Sequence, residues 1–155
     1  HQAKLFECYF SESTFEGAQF LFTREKLCRF RAALGTGTHF PASTLDTCDF
    51  SGADLTSSRF QRADCARSNF HRADLTECDF REGKLKGTDF SRSTLRRARF
   101  GEALLYSADF RGADLRGARD MTGEQIMQSL TDARTILPNG SCGPYLRSSR
   151  EERPA

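Results

Sequence analysis

The sequence predicts an all-β solenoid assembled from five-residue units, and three observations predict it. First, every fifth residue from Leu5 to Leu115 is Phe or Leu at 20 of 23 positions, the exceptions being Glu25, Gly35 and Cys65. Twelve of the 14 Phe fall in this single phase. Second, the residue two before each of these centres is always small: Ala, Cys, Ser, Thr or Gly. Third, the remaining three positions are mostly Asp, Arg, Ser, Thr, Glu and Gly. Neither a helical period of 3.6 nor a strand period of 2 gives this pattern. One small and one large inward residue in each five describe a chain bending tightly round a narrow apolar core, and self-similarity at a fixed period marks a solenoid.

The clearest units are Ala53-Asp54-Leu55, Ala73-Asp74-Leu75, Ala108-Asp109-Phe110 and Ala113-Asp114-Leu115. Over residues 3–119 the pattern resembles the pentapeptide-repeat family, whose motif is A-(D/N)-L-x-x. The resemblance implies a right-handed quadrilateral β-helix with four five-residue sides per coil. Residues 20 apart then stack, and sorting the centres on that basis is a test. Phe10, Phe30, Phe50, Phe70, Phe90 and Phe110 fall on one side, and Phe20, Phe40, Phe60, Phe80 and Phe100 on the opposite one. Leu dominates the other two sides from residue 40 onward. Coils spaced by about 4.8 Å, the usual strand separation, give a rod of nearly six coils.

The weak stretch is 21–38, where Glu25 and Gly35 occupy centres. An unpaired buried carboxylate is costly. Glu25 is therefore expected in solvent or beside an Arg or Lys, with a bulge nearby of zero or ten net residues. The Asp residues before the centres, such as Asp54, Asp74, Asp89 and Asp109, suit local turn hydrogen bonds.

The organisation expected is a solenoid over 1–120, a cap over 121–140 and a flexible tail over 141–155. Thr122 and Gln125 form a capping box, and Ile126, Met127 and Leu130 follow at helical spacing. A solenoid needs such a plug, and the family resemblance supplies a precedent for a helix followed by a Leu-Pro turn, here Leu137-Pro138. The N-terminal end lacks an equivalent. Phe6, Tyr9, Leu21 and Phe22 lie outward there, either as an interface, including a homodimer through the first coil, or with Leu21 and Phe22 folded over the end.

The charge is nearly balanced, 23 Lys plus Arg against 21 Asp plus Glu. No apolar run reaches the length of a transmembrane helix. His1, His39 and His71 are scattered, and no nucleophile, phosphate-loop or metalloprotease motif occurs. No catalytic residue, cofactor or metal is therefore assigned. Cys8, Cys28 and Cys48 are 20 apart, a possible metal or disulfide ladder, but read best as small buried residues. Most repeat cysteines are expected as inward free thiols, which points to a reducing, cytoplasmic setting. The function expected is a non-catalytic scaffold with flat faces for a protein partner, with nucleic acid disfavoured. The family resemblance implies a rival, a DNA mimic that binds and protects a type II topoisomerase. Against it, residues 61–119 hold 13 Lys and Arg against 9 Asp and Glu. The candidate contact surface is a basic ridge of Arg72, Arg92, Arg96, Arg97, Arg99, Arg116 and Arg119, joined by the four apolar residues at the N-terminal end.

Overall fold

A computed structural model describes residues 3–145. Its repeating element is a tight turn. The N–H of the small residue donates to the carbonyl of the preceding centre, as Ala73 does to Phe70 at 3.0 Å. Between them the residue two after the centre takes a positive φ, as in Arg72 at 57° and Gly52 at 67°. That combination is a type II turn, whose third residue needs the left-handed region. One such turn every five residues makes four corners per coil.

Between corners only a residue or two remain extended, so regular strands are short: β1 (Lys4–Phe6), β2 (Arg24–Lys26) and β3 (Thr44–Asp46), in one parallel sheet of that order. Beyond them the ladder continues as single parallel bridges, always 20 residues apart within the repeat: Asp54 with Asp74, Asp79 with Arg99, Arg99 with Arg119. The N–H of a centre donates to the next coil, as Phe70 does to the Asp89 carbonyl at 2.7 Å, and Asp89 N–H returns to the Ser68 carbonyl at 3.0 Å. The four sides are named below by their first centres: Leu5, Phe10, Phe15 and Phe20.

The core is the stack of centres. From Phe30 to Leu115 the Phe and Leu centres are essentially inaccessible to solvent. Rings 20 apart lie parallel at 4.6–5.5 Å, and the Phe10 and Phe20 columns meet edge to face, as Phe60 and Phe70 do at 5.6 Å. Both are preferred aromatic geometries.

The structure corrects the reading of 21–38. There is no bulge: Lys4, Arg24 and Thr44 stack in register, as do Leu5, Glu25 and Leu45. Glu25 is 1% exposed, inside an unbroken coil. Thr23 Oγ1 donates to its Oε1 at 2.9 Å, while Oε2 has no partner. Burial pushes the carboxyl from 4.5 up to about 7, with the Thr23 bond opposing the rise. Below about pH 7 the fold thus favours the neutral acid, which avoids the cost that burying an ion would carry. At Gly35, the Phe15 ring of the coil before fills the vacant place: a Cβ there would come within 2.3 Å of Phe15 Cε2. Phe above Gly shares out the volume that two Leu occupy elsewhere in the column.

At the C-terminal end, α1 (Gly123–Met127) is a single turn with the expected capping box. Ile126 is buried, but Met127 and Leu130 are exposed. They do not share an apolar helical face, because the helix stops and Leu130 returns to the ladder beside Asp109. Ile136 then pairs with Asp114, and Cys142 pairs with Ile136 in the antiparallel sense. The expected tail is therefore packed at its start: Gly143 N–H donates to the Thr135 carbonyl and Tyr145 is buried. The rest of that tail, 146–155, lies outside the described residues.

Candidate functional site

Because the interior is filled, any site must be on the sides. The turn-forming carboxylates come first, since they set which cations are free. Asp54 Oδ1 accepts from Thr56 N–H and Oγ1, and Asp74 repeats this with Thr76. Where an Arg stands two residues on, the same carboxylate also holds its guanidinium: Asp79 with Arg81 at 2.6 Å, Asp109 with Arg111 and Asp114 with Arg116 at 2.7 Å. The acidic rows are thus structural.

The basic ridge is dispersed by the geometry. Arg72 and Arg92 stack at the corner between the Phe10 and Phe15 sides. Arg96 and Arg116 lie on the Phe15 side, Arg97 on the next corner, and Arg99 over Arg119 on the Phe20 side. Asp114 takes both Arg96 and Arg116 at 2.7 Å. These contacts, led by the Arg116 hydrogen bond, bring its carboxyl down to about 2. Arg97 reaches Glu77 at 3.4 Å and Arg99 reaches Asp120 at 3.5 Å. Arg72, Arg92 and Arg119 have no ion pair among the described residues. Of the stacked pairs, only Arg96 over Arg116 has a carboxylate holding both members.

At the N-terminal end Phe6, Tyr9 and Phe22 are exposed, at 63%, 71% and 59%, and Leu21 is half-buried. Phe22 does not fold over the first coil. Tyr9 stands apart on the Phe10 side with Arg29 over its ring at 5.1 Å. Phe6 and Phe22 instead flank the Leu5 side.

That side holds what sequence reasoning missed. Its two outward rows read Lys4, Arg24, Thr44, Asp64, Lys84, Leu104 and Phe6, Lys26, Asp46, Ala66, Lys86, Tyr106. All four lysines of the chain are here. Leu104 and Tyr106 are exposed at its C-terminal end, with Lys86 Nζ 5.7 Å from the Tyr106 ring. Phe22, Ala42, Lys4, Arg24 and Thr44 line a shallow depression at the other end. Sorting the outward residues by 20, as was done for the centres, would have found it. A second furrow runs along the corner after the Phe10 side, where Ser11, Ala32, Ser51 and Gly52 are small beside Arg31, His71 and Arg72.

Cys28, Cys48, Cys65 and Cys78 are buried free thiols, Cys8 is half-buried and Cys142 exposed. Burial drives the Cys48 and Cys78 thiols up, away from the reactive thiolate. Among the described residues no group of His, Cys, Asp and Glu is placed to hold a metal ion, and no helix is long and apolar enough to cross a membrane.

No curated protein matches the sequence. Solved structures do. The chain is similar to a pentapeptide repeat protein from the Arabidopsis thaliana thylakoid lumen, at 24% identity and TM-score 0.46 over 74% of this chain and 69% of that one. It is similar to QnrB1, a plasmid-mediated fluoroquinolone resistance protein, at 18% identity and TM-score 0.45 over 83% and 82%. It is also similar to HetL, a pentapeptide repeat protein involved in heterocyst differentiation regulation from the cyanobacterium Nostoc, at 17% identity and TM-score 0.34 over 92% and 94%. The model of the pentapeptide repeat region matches residues 53–120. Residues 53–120 are thus a pentapeptide repeat region, and the same twenty-residue register runs through the coils on the N-terminal side of that match, in the right-handed quadrilateral β-helix fold of pentapeptide repeats.

Proposed function

We propose that this chain is a non-catalytic binding protein that presents flat solenoid sides to a protein partner. The observation that carries the reading is the solid interior: centres from Phe30 to Leu115 are buried in continuous stacks, leaving the chemistry on regular outer rows. Long rigid surfaces of this kind are what solenoids use for recognition. The rival reading, a DNA mimic acting on a topoisomerase, finds less support. A mimic needs carboxylates free to present their charge, and here Asp79, Asp109 and Asp114 are engaged by arginines of their own units.

The test is affinity isolation on the immobilised chain, then titration calorimetry with the purified partner. A saturable complex with a protein, formed without turnover of either component, is the expected result. Retention of nucleic acid alone, or chemical conversion of the partner, overturns the reading.

A further inference from the structure

The lysines are confined to one side of the rod, and this confinement is not required by the fold. Outward positions on all four sides are chemically equivalent to the turn, yet cations on the Phe10, Phe15 and Phe20 sides are all arginines. Several of those are held at 2.6–2.7 Å by the Asp of their own unit. On the Leu5 side the contacts are loose. Lys26 reaches Asp46 and Lys84 reaches Asp64 only at 3.9 Å, and Asp46 is taken by Arg67 at 2.7 Å. Lys4 and Arg24 have no ion pair among the described residues. These cations keep their capacity to bind an anion. The same side carries exposed apolar groups at both ends: Phe6 with the neighbouring corner residues Phe22 and Leu27, and Leu104 with Tyr106.

Along the axis the side therefore reads apolar, basic, acidic, basic, apolar. That sequence decides the occupant. A second copy laid antiparallel against it would put Arg24 and Lys26 over Lys84 and Lys86, and Asp46 over Asp64. A parallel copy in register would again set like on like, and like charges face to face are unfavourable. A lipid surface of uniform negative charge would attract the two basic bands but repel the acidic one between them. A folded or extended protein segment can match the alternation band for band. The bands at Arg24/Lys26 and Lys84/Lys86 are three coils apart, about 14 Å at the usual strand spacing. At the first, the depression is lined by Phe22 and Ala42 together with Lys4 and Arg24.

From this juxtaposition we infer that the Leu5 side docks an acidic protein segment carrying two carboxylate clusters about 14 Å apart, flanked by apolar side chains. The inference rests on the binding reading above and assigns it to one side. Lysine suits the role, since its flexible stem lets the charge follow a partner where a pinned arginine does not.

The probe is a fluorescein-labelled peptide with two Glu-Glu pairs separated by Ser-Lys-Ser and flanked by Phe-Leu, followed by anisotropy. Binding to the wild-type chain should weaken as salt rises. It should weaken by about tenfold or more in Lys84→Glu/Lys86→Glu, and survive in Lys84→Arg/Lys86→Arg. Leu104→Ser/Tyr106→Ser should also weaken it. Arg96→Glu/Arg116→Glu, on the Phe15 side, should leave it unchanged. Circular dichroism confirms that each variant folds. Failure of the peptide to bind, equal binding by the Leu5-side and Phe15-side variants, or equal binding of an all-Glu peptide overturns the inference. So does sedimentation with phosphatidylglycerol vesicles that is lost in the Lys84→Glu/Lys86→Glu chain, which makes lipid the occupant. If the isolated protein partner still binds the Leu5-side variants, this inference falls while the binding reading stands.

Discussion

Glu25 shows how a single residue can satisfy a repeat that its chemistry contradicts. The carboxyl sits where Leu belongs, between Leu5 and Leu45, and the Cys48 thiol donates to the Glu25 backbone carbonyl. Its value of about 7 in the fold, against 4.5 ordinarily, makes stability depend on pH with a definite sign. The folded state binds the proton more tightly, so the contribution is complete below about pH 4.5 and is lost as pH rises through 7. The loss is on the order of 3 kcal/mol. Asp114, held down to about 2, acts at the other end: its contribution is present above its ordinary 3.8 and lost as pH falls toward 2. Melting temperature should thus peak in the mildly acidic range. Glu25→Gln should remove most of the decline between about pH 4.5 and 7, and thermal melts across the range measure it. The sequence could not reveal this, because the expectation treated the carboxylate as ionised, and an ion does fit badly there. The compensation of Gly35 by Phe15 was hidden for a related reason. It needs the ring of one coil to reach into the next, and a list of centres records identity but not reach.

At the scale of elements, the short cap does more than its five helical residues suggest. Gln125 Oε1 accepts from Thr122 N–H at 2.8 Å, while Nε2 donates to the Phe100 and Ala103 carbonyls at 3.0 and 2.8 Å. One side chain closes the helix and part of the last coil. Gln125→Ala should destabilise the chain by about 1–2 kcal/mol. Gln125→Glu keeps the capping acceptor but has no hydrogens for the coil, and should cost nearly as much; urea titration compares the two. The capping box was legible because it is a local pattern of spacing. The coil contacts were not, since they join residues more than 20 apart. Likewise the helical spacing of Ile126, Met127 and Leu130 misled: a ladder site beside Asp109 was available to Leu130, and the helix ended first.

For the whole molecule, the repeat made the interior legible almost residue by residue, because every centre answers to the same geometry. The outside answers to no such rule beyond turn formation. Four equivalent sides therefore looked alike until the rows were assembled, and the dispersed arginines were read as one ridge. The same logic predicts what the chain tolerates. Removing residues 63–82 deletes one coil and leaves every column continuous, so the product should unfold cooperatively with a smaller denaturant dependence, in proportion to its buried surface. Removing residues 63–67 turns all later centres by one side and sets Phe beneath Leu. That product should lose its cooperative transition, as denaturant unfolding followed by circular dichroism will show.

The aromatic columns have a consequence for motion. Phe70 lies between Phe50 at 4.9 Å and Phe90 at 5.4 Å, with Phe60 and Phe80 against it edge to face. In an interior packed as densely as a crystal, such a ring can turn over only when its neighbours part together. Phe10, half-buried in the first coil, has just Phe30 beside it at 5.0 Å among the described rings. The two edges of the Phe70 ring should therefore give separate nuclear magnetic resonance signals, while those of Phe10 merge by fast flipping. Ring rotation should slow from the N-terminal coil toward the middle of the rod and report, ring by ring, how far breathing of the end penetrates.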